Sequence, residues 1–441
     1  MKFSTFLFFT VSFILIELSM QSYIVYPFRK SKKEIKSYPE DLIQNDLEVT
    51  IEIGTPPQEI DLNLRSKVYA FFVSSSDLNL PYTTYNEHKS KSFINLSKRL
   101  INFQGQEFCQ GYKIFESITI NEKPINNITL VLATNLSYNE PGALGLRPIK
   151  SHESSGNLSF IYQMKKKANF DNYAFSIKYD DDNDEKGELI IGSYPHLYDD
   201  KFKNKNFCFS RARNIGNSID WVLEFDAIRY DNKTMTGIAT KSLLQIEFGL
   251  LLAPLNVKKQ LNDKFFNSVN NKCREEFYEK RNYTIIHCDK SIDIKNFKNI
   301  IFFLKDIYYE FVLTYQDLFI EKNNEYIFAI AFDHNVYKSG AIWILGKPFM
   351  KKYQLVYDLD RKIIGMYRDN NKGDDGSINS YNTIIIYVVI ISVLIIVVIA
   401  LVIYIIFIFK KQRKNKAFEL DDDNFDYVPS EKIALDCIIL N

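Results

Sequence analysis

The chain has 441 residues, enough for two cored domains, and is 46% hydrophobic with 28 Tyr and 35 Phe, which argues for a folded, β-rich body and against a disordered chain. Lys plus Arg (55) almost cancel Asp plus Glu (54), so the balance excludes the strongly basic field of a nucleic-acid binder.

In chain order, residues 1–21 begin with Lys2, continue as an apolar run and end in small and polar residues, the pattern of a secretory signal peptide. A basic stretch, 22–45, follows. From about 46 to 368 the segments are short, alternating, β-branched or aromatic, and broken by Gly, Asn, Asp or Pro: "DLEVTIEIG", "NITLVLAT", "GELIIGS", "DWVLEFDAIRY", "EYIFAIAF". That is an all-β body. One stretch, 255–280, has few strand formers and spaces its apolar residues as a helix does. Residues 369–383 form a polar, Gly-containing stalk.

Residues 384–409 carry no charge, and as a helix would extend about 39 Å, more than a hydrocarbon core of ~30 Å. Lys410, Lys411, Arg413, Lys414 and Lys416 follow at once and mark the cytosolic side. The expected topology is therefore a single-pass type I membrane protein of the secretory pathway, at the cell surface or in endolysosomes, with a cytoplasmic tail, 410–441. Sequons at Asn95, Asn127, Asn135, Asn157, Asn232 and Asn282 all precede the span and are the expected glycosylation sites. Cys109, Cys208, Cys273 and Cys288 lie on the same side, where disulfides persist; whether Cys109 and Cys208 pair is open.

Several motifs, in order, carry a resemblance. "IGTPPQ" (53–58), "GALGL" (142–146), "WVLEFDAI" (221–228), "WILG" (343–346) and "QLVYDLDRKIIGM" (354–366) together resemble pepsin-type aspartic proteases over roughly residues 46–368. The resemblance implies a bilobal fold, two β-lobes (46–214 and 215–368) related by a pseudo-twofold axis around a peptide-binding cleft. It implies a Cys273–Cys288 disulfide, closing a loop worth about 3 kcal/mol. It also likens 22–45 to a basic pro-peptide.

In active members each lobe supplies one aspartate from an Asp-Thr/Ser-Gly turn. The two share a proton and activate one water. Counting on from "IGTPPQ", the first position falls on Arg65, followed by Ser66 and Lys67; Phe72 stands where the family has Trp. Counting back from Pro254, the second falls on Gln245, followed by Ile246 and Glu247. Phe103 takes the place of the flap Tyr, and Asp61 lies four residues ahead of the first tip. Neither Arg nor Gln can act as a general base near neutrality. The cleft residues to watch are thus Arg65, Ser66, Lys67, Phe103, Gln245 and Glu247, with no catalytic residue among them.

Arg65 or Lys67 is expected to bridge to Glu247 across the axis, the alternative being side chains turned outward into water. The expected function is a non-catalytic glycoprotein holding an unidentified peptide or protein, with no nucleic acid, cofactor or metal. Two alternatives stand: an active endopeptidase, as fold similarity alone would suggest, and a sorting or structural protein acting through its tail.

Overall fold

The computed structural model describes residues 23–369 apart from 32–37, 98–100, 104–108, 137–139, 149–157, 169, 171, 216–217, 237–238, 270–271 and 336–341. Residues 1–370 form one compact unit and 371–441 another, of which the second lies outside the described residues. The expected signal peptide, membrane span, tail and the Asn157 sequon also fall outside them. Among the described residues, no helix is long and apolar enough to cross a membrane.

The body is mostly strand, as its alternating segments require, and one strand motif occurs twice. In the first copy, Gln58–Arg65 runs parallel to Gly142–Gly145, which pairs antiparallel with Phe71–Ser74, itself parallel to Lys123–Leu136. In the second, Thr240–Leu244 runs parallel to Trp343–Leu345, which pairs antiparallel with Leu251–Pro254, itself parallel to Ile330–Asp333. Two copies of one topology are what a pseudo-twofold pair of lobes demands. Each middle strand is short and wholly apolar; Gly142–Gly145 is buried throughout, and Trp343–Leu345 is buried except for the half-buried Ile344.

A run of antiparallel strands joins the two halves. Its order is Asn206–Arg211, Ile363–Arg368, Val356–Asp358, Ala174–Tyr179, Lys186–Ile191, Ile24–Lys30 and Leu47–Ile53. The C-terminal hairpin, 356–368, therefore pairs with strands of the N-terminal lobe. The basic stretch contributes an interior strand: Ile24–Lys30 pairs with Lys186–Ile191 on one side and Leu47–Ile53 on the other, burying Ile24, Tyr26 and Phe28 in alternation. Its basic character lies at the strand end, where Arg29 pairs with Asp61 at 2.6 Å and Lys30 with Asp41 at 2.9 Å.

One hydrophobic cluster extends from Leu62 and Leu144 through Trp221 to Phe302 and Trp343. Trp221 is its hinge: its ring lies edge-on to Phe175 and Tyr357, and its indole N–H donates to the Leu146 carbonyl at 2.7 Å. A buried aromatic of this kind contributes on the order of 1.5–3 kcal/mol through area alone.

The stretch 255–280 is helical through its first half, with a 3-10 turn at Phe266–Val269, and strand at its end. Leu255–Lys264 is an α-helix burying Val257 and Leu261, but Cys273–Tyr278 is a strand paired with Tyr283–Asp289. The reason is tertiary: Cys273 and Cys288 stand directly opposite in this ladder, Cα atoms 4.0 Å apart, and form the disulfide.

Candidate functional site

The repeated motif fixes the site. Arg65 closes the Gln58–Arg65 strand opposite Gly145, and the Leu146 N–H donates to its carbonyl at 2.9 Å. In the second copy Gln245 follows Leu244, and its N–H donates to the Leu345 carbonyl at 3.1 Å. Five residues lie between each tip and the return strand, Arg65 to Phe71 and Gln245 to Leu251. Gly145 and Gly346 lie behind the tips so closely that a Cβ on either would come within 2.5 Å and 2.2 Å of backbone atoms, which is why both positions are glycine. Arg65, Ser66 and Lys67 are thereby equivalent to Gln245, Ile246 and Glu247.

Arg65 is buried, and its guanidinium turns to carboxylates of its own lobe. Nη1 lies 2.6 Å from Asp46 Oδ1, while Nη2 and Nε reach Glu140 Oε2 at 2.8 and 3.3 Å. Glu140 is 0% exposed, and its Oε2 also accepts from the Asn63 amide at 2.7 Å. Glu140 sits here because Pro141 and Gly142 lead straight into the middle strand, and Ser74 Oγ holds its carbonyl at 2.6 Å. Burial would penalise a lone guanidinium by several kcal/mol; two carboxylates and three charge-assisted hydrogen bonds offset that.

Glu247 therefore has a different partner from the one expected. Its Oε2 accepts from the Ser66 backbone N–H at 3.1 Å and from Ser66 Oγ at 2.6 Å. The link across the lobes is made by a hydroxyl and an amide, while Arg65 is held by Asp46 and Glu140. Ser66 Oγ also accepts a long bond from the Ile246 N–H at 3.4 Å; the apolar Ile246 returns no hydroxyl. Lys67 is exposed and Gln245 is buried.

A second brace comes from the segment between the first strand and Leu47. The Asn45 side chain donates to the Ile246 carbonyl at 2.8 Å, the Asn45 N–H to the Glu247 carbonyl at 3.0 Å, and the Gly249 N–H to the Ile43 carbonyl at 2.7 Å. Residues 43–46 thus touch both tips. Sequence reasoning missed Asp46, Glu140, Asn63 and Asn45; only Glu140, an acid directly ahead of "PGALG", carried a local signal.

Phe103 ends the strand Ile101–Phe103 and pairs in register with Cys109; residues 104–108 lie outside the described residues. Burial, with the nearby Glu140 charge, pushes the Cys109 thiol up to about 12. Cys109 and Cys208 are both free, so the pairing left open by the sequence is not made. Phe72 is buried at its expected place, and Asp61 accepts from Arg29 and Thr50. Asn95, Asn127, Asn135 and Asn232 are exposed, and Asn282 is half-buried.

Among the described residues, metal-ligand types come together only at Asp77, Glu87 and His88, within 4.8 Å of one another. Asp77 and His88 are exposed, and surface groups of this kind need no ion.

No curated protein matches the chain. The family model described as eukaryotic aspartyl protease matches residues 48–368, which takes in both copies of the strand motif and both loop tips. The chain belongs to the eukaryotic aspartyl protease family.

Proposed function

We propose that this protein is a catalytically silent member of its family, which holds a peptide or protein between its lobes without cutting it. The observation that carries the reading is the pair of residues at the equivalent tips. Arg65 cannot accept a proton from water, and Gln245 has none to exchange. The family's reaction needs two carboxylates close enough to share one proton. Asp46 and Glu140 do not supply them, because both engage the Arg65 guanidinium as an ion triad. Glu247 faces Ser66, a donor of hydrogen bonds and not an acid.

The secretory part of the reading rests on the residue patterns of 1–21, 384–409 and 410–416 and on the sequons. The Cys273–Cys288 disulfide supports it, since such bonds persist in oxidising compartments. A membrane-tethered ectodomain on a polar stalk would present its interlobe groove to the lumen or the outside.

The test pairs two assays on the full-length protein in detergent. Incubation with an unfolded protein between pH 3 and 7 yields no fragments, while a random peptide library retained on the protein is enriched in defined sequences. Fragments that vanish when Glu247 or Glu140 is neutralised would instead favour an endopeptidase.

A further inference from the structure

The loop-tip region is rich in buried acceptors that lack donors. Glu140 Oε1, Asn63 Oδ1 and Glu247 Oε1 are all buried without a hydrogen-bond partner. Glu140 is 0% and Asn63 1% exposed, and the two are already joined through Glu140 Oε2. Two of the three orphan atoms therefore belong to one corner, built on the Arg65 side. A buried acceptor left unpaired costs about 1–3 kcal/mol, so three in one region, at positions equivalent or adjacent to the family's reaction centre, suggest a site completed by something else.

The charge balance points the same way. Two carboxylates, Asp46 and Glu140, share one buried cation, Arg65, while Glu247 on the other tip is met by the hydroxyl and amide of Ser66. The corner lies against the flap hairpin and the residues before it. The Tyr82 phenol and the Cys109 thiol are each pushed up by burial and, next, by the Glu140 charge.

We infer that the ligand taken between the lobes is cationic: a peptide whose Lys or Arg side chain docks in the corner formed by Glu140, Asn63 and Asp46. This rests on the binding reading given above. A lysine ammonium brings three donors and no acceptor, and an arginine guanidinium brings five, matching orphan atoms that are all acceptors. An acidic side chain would add a third negative charge to the corner, and an apolar one would leave the orphan atoms unpaired.

The experiment uses full-length protein in detergent and three fluorescent peptides that differ at one central residue, Lys, Met or Glu, in an otherwise identical sequence taken from the library. Fluorescence anisotropy reads each Kd. The lysine peptide is expected to bind at least tenfold more tightly than the methionine peptide, and the glutamate peptide more weakly than either. Glu140→Gln is expected to bring the lysine-to-methionine ratio toward one, and Asn63→Leu to lower it, with a thermal melt of each variant verifying that it folds. Equal affinity for all three peptides would overturn the inference while leaving the binding reading intact, the orphan acceptors then being served by water. Binding of none of them, with no library enrichment, would remove the binding reading and this inference together.

Discussion

Ser66 Oγ lies 2.6 Å from Glu247 Oε2, and these two residues sit at the tips of different lobes. The same oxygen receives the Ser66 N–H at 3.1 Å, so one serine ties the halves of the molecule through both of its donors. Removing the hydroxyl leaves a half-buried carboxylate with a single donor. Ser66→Ala should lower stability by about 1–3 kcal/mol, and Ser66→Thr should restore most of it. Guanidinium unfolding of residues 23–368 checks this; a Ser66→Ala midpoint equal to the parent's would remove the link from the account.

The Arg65 triad predicts a larger effect. Arg65→Met strands Glu140 at 0% exposure beside Asp46, and breaking a buried ion pair from one side costs about 3–5 kcal/mol. Adding Glu140→Gln to Arg65→Met should recover part of that loss, because the uncompensated charge is gone. Additive losses in the double variant would mean that the two residues act independently.

His287 gives the fold a pH dependence. It is 2% exposed, with Nε2 3.1 Å from Glu276, Nδ1 3.3 Å from Glu325, and the Tyr38 ring 6.0 Å away. Burial, then the Arg274 charge, holds its folded-state pKa below the usual imidazole value, outweighing the two glutamates. The folded state therefore disfavours the proton: the stabilisation is complete above the unfolded pKa of about 6.5 and is lost as pH falls through it. The melting temperature should drop between pH 7 and 5, and His287→Gln should flatten that part of the curve. An unchanged slope in the variant would assign the drop to other groups.

The first strand should be permanent. Ile24–Lys30 has partners on both sides and buries three apolar side chains, so a body beginning after Lys30 would open an interior edge of the sheet. Such a truncation should express as aggregate, whereas a start at Tyr23 should give folded monomer. Mass spectrometry of protein held at pH 4 should find the segment still attached. Spontaneous loss of 22–45 with the remainder folded would contradict this.

Much of the fold was legible in the sequence because its signals are local. "GALG" and "WILG" announce their strands through glycines that no side chain could replace, and the position that follows six residues of strand after "IGTPPQ" is Arg65, at the strand end. What escaped notice depends on distance along the chain. Glu140 lies 75 positions from Arg65 and Asp46 lies 19, and nothing in periodicity reports such pairings. With those acids out of view, Glu247 looked like the natural counter-charge for Arg65, and the hydroxyl of Ser66 was overlooked. Cys273–Tyr278 was read as helical for a similar reason: its strand is imposed by the partner across the disulfide rather than by its own residues. The basic look of 22–45 likewise concealed the alternation of Ile24, Tyr26 and Phe28.

The most direct test of the central claim is proteolysis by purified residues 23–368 against an unfolded protein substrate from pH 3 to 7, followed by mass spectrometry. The account predicts no cleavage at any pH, and none gained by Arg65→Asp alone, since Gln245 would still leave one carboxylate without its counterpart. Turnover by the unaltered protein, abolished by substituting Glu247 or Glu140, would contradict it.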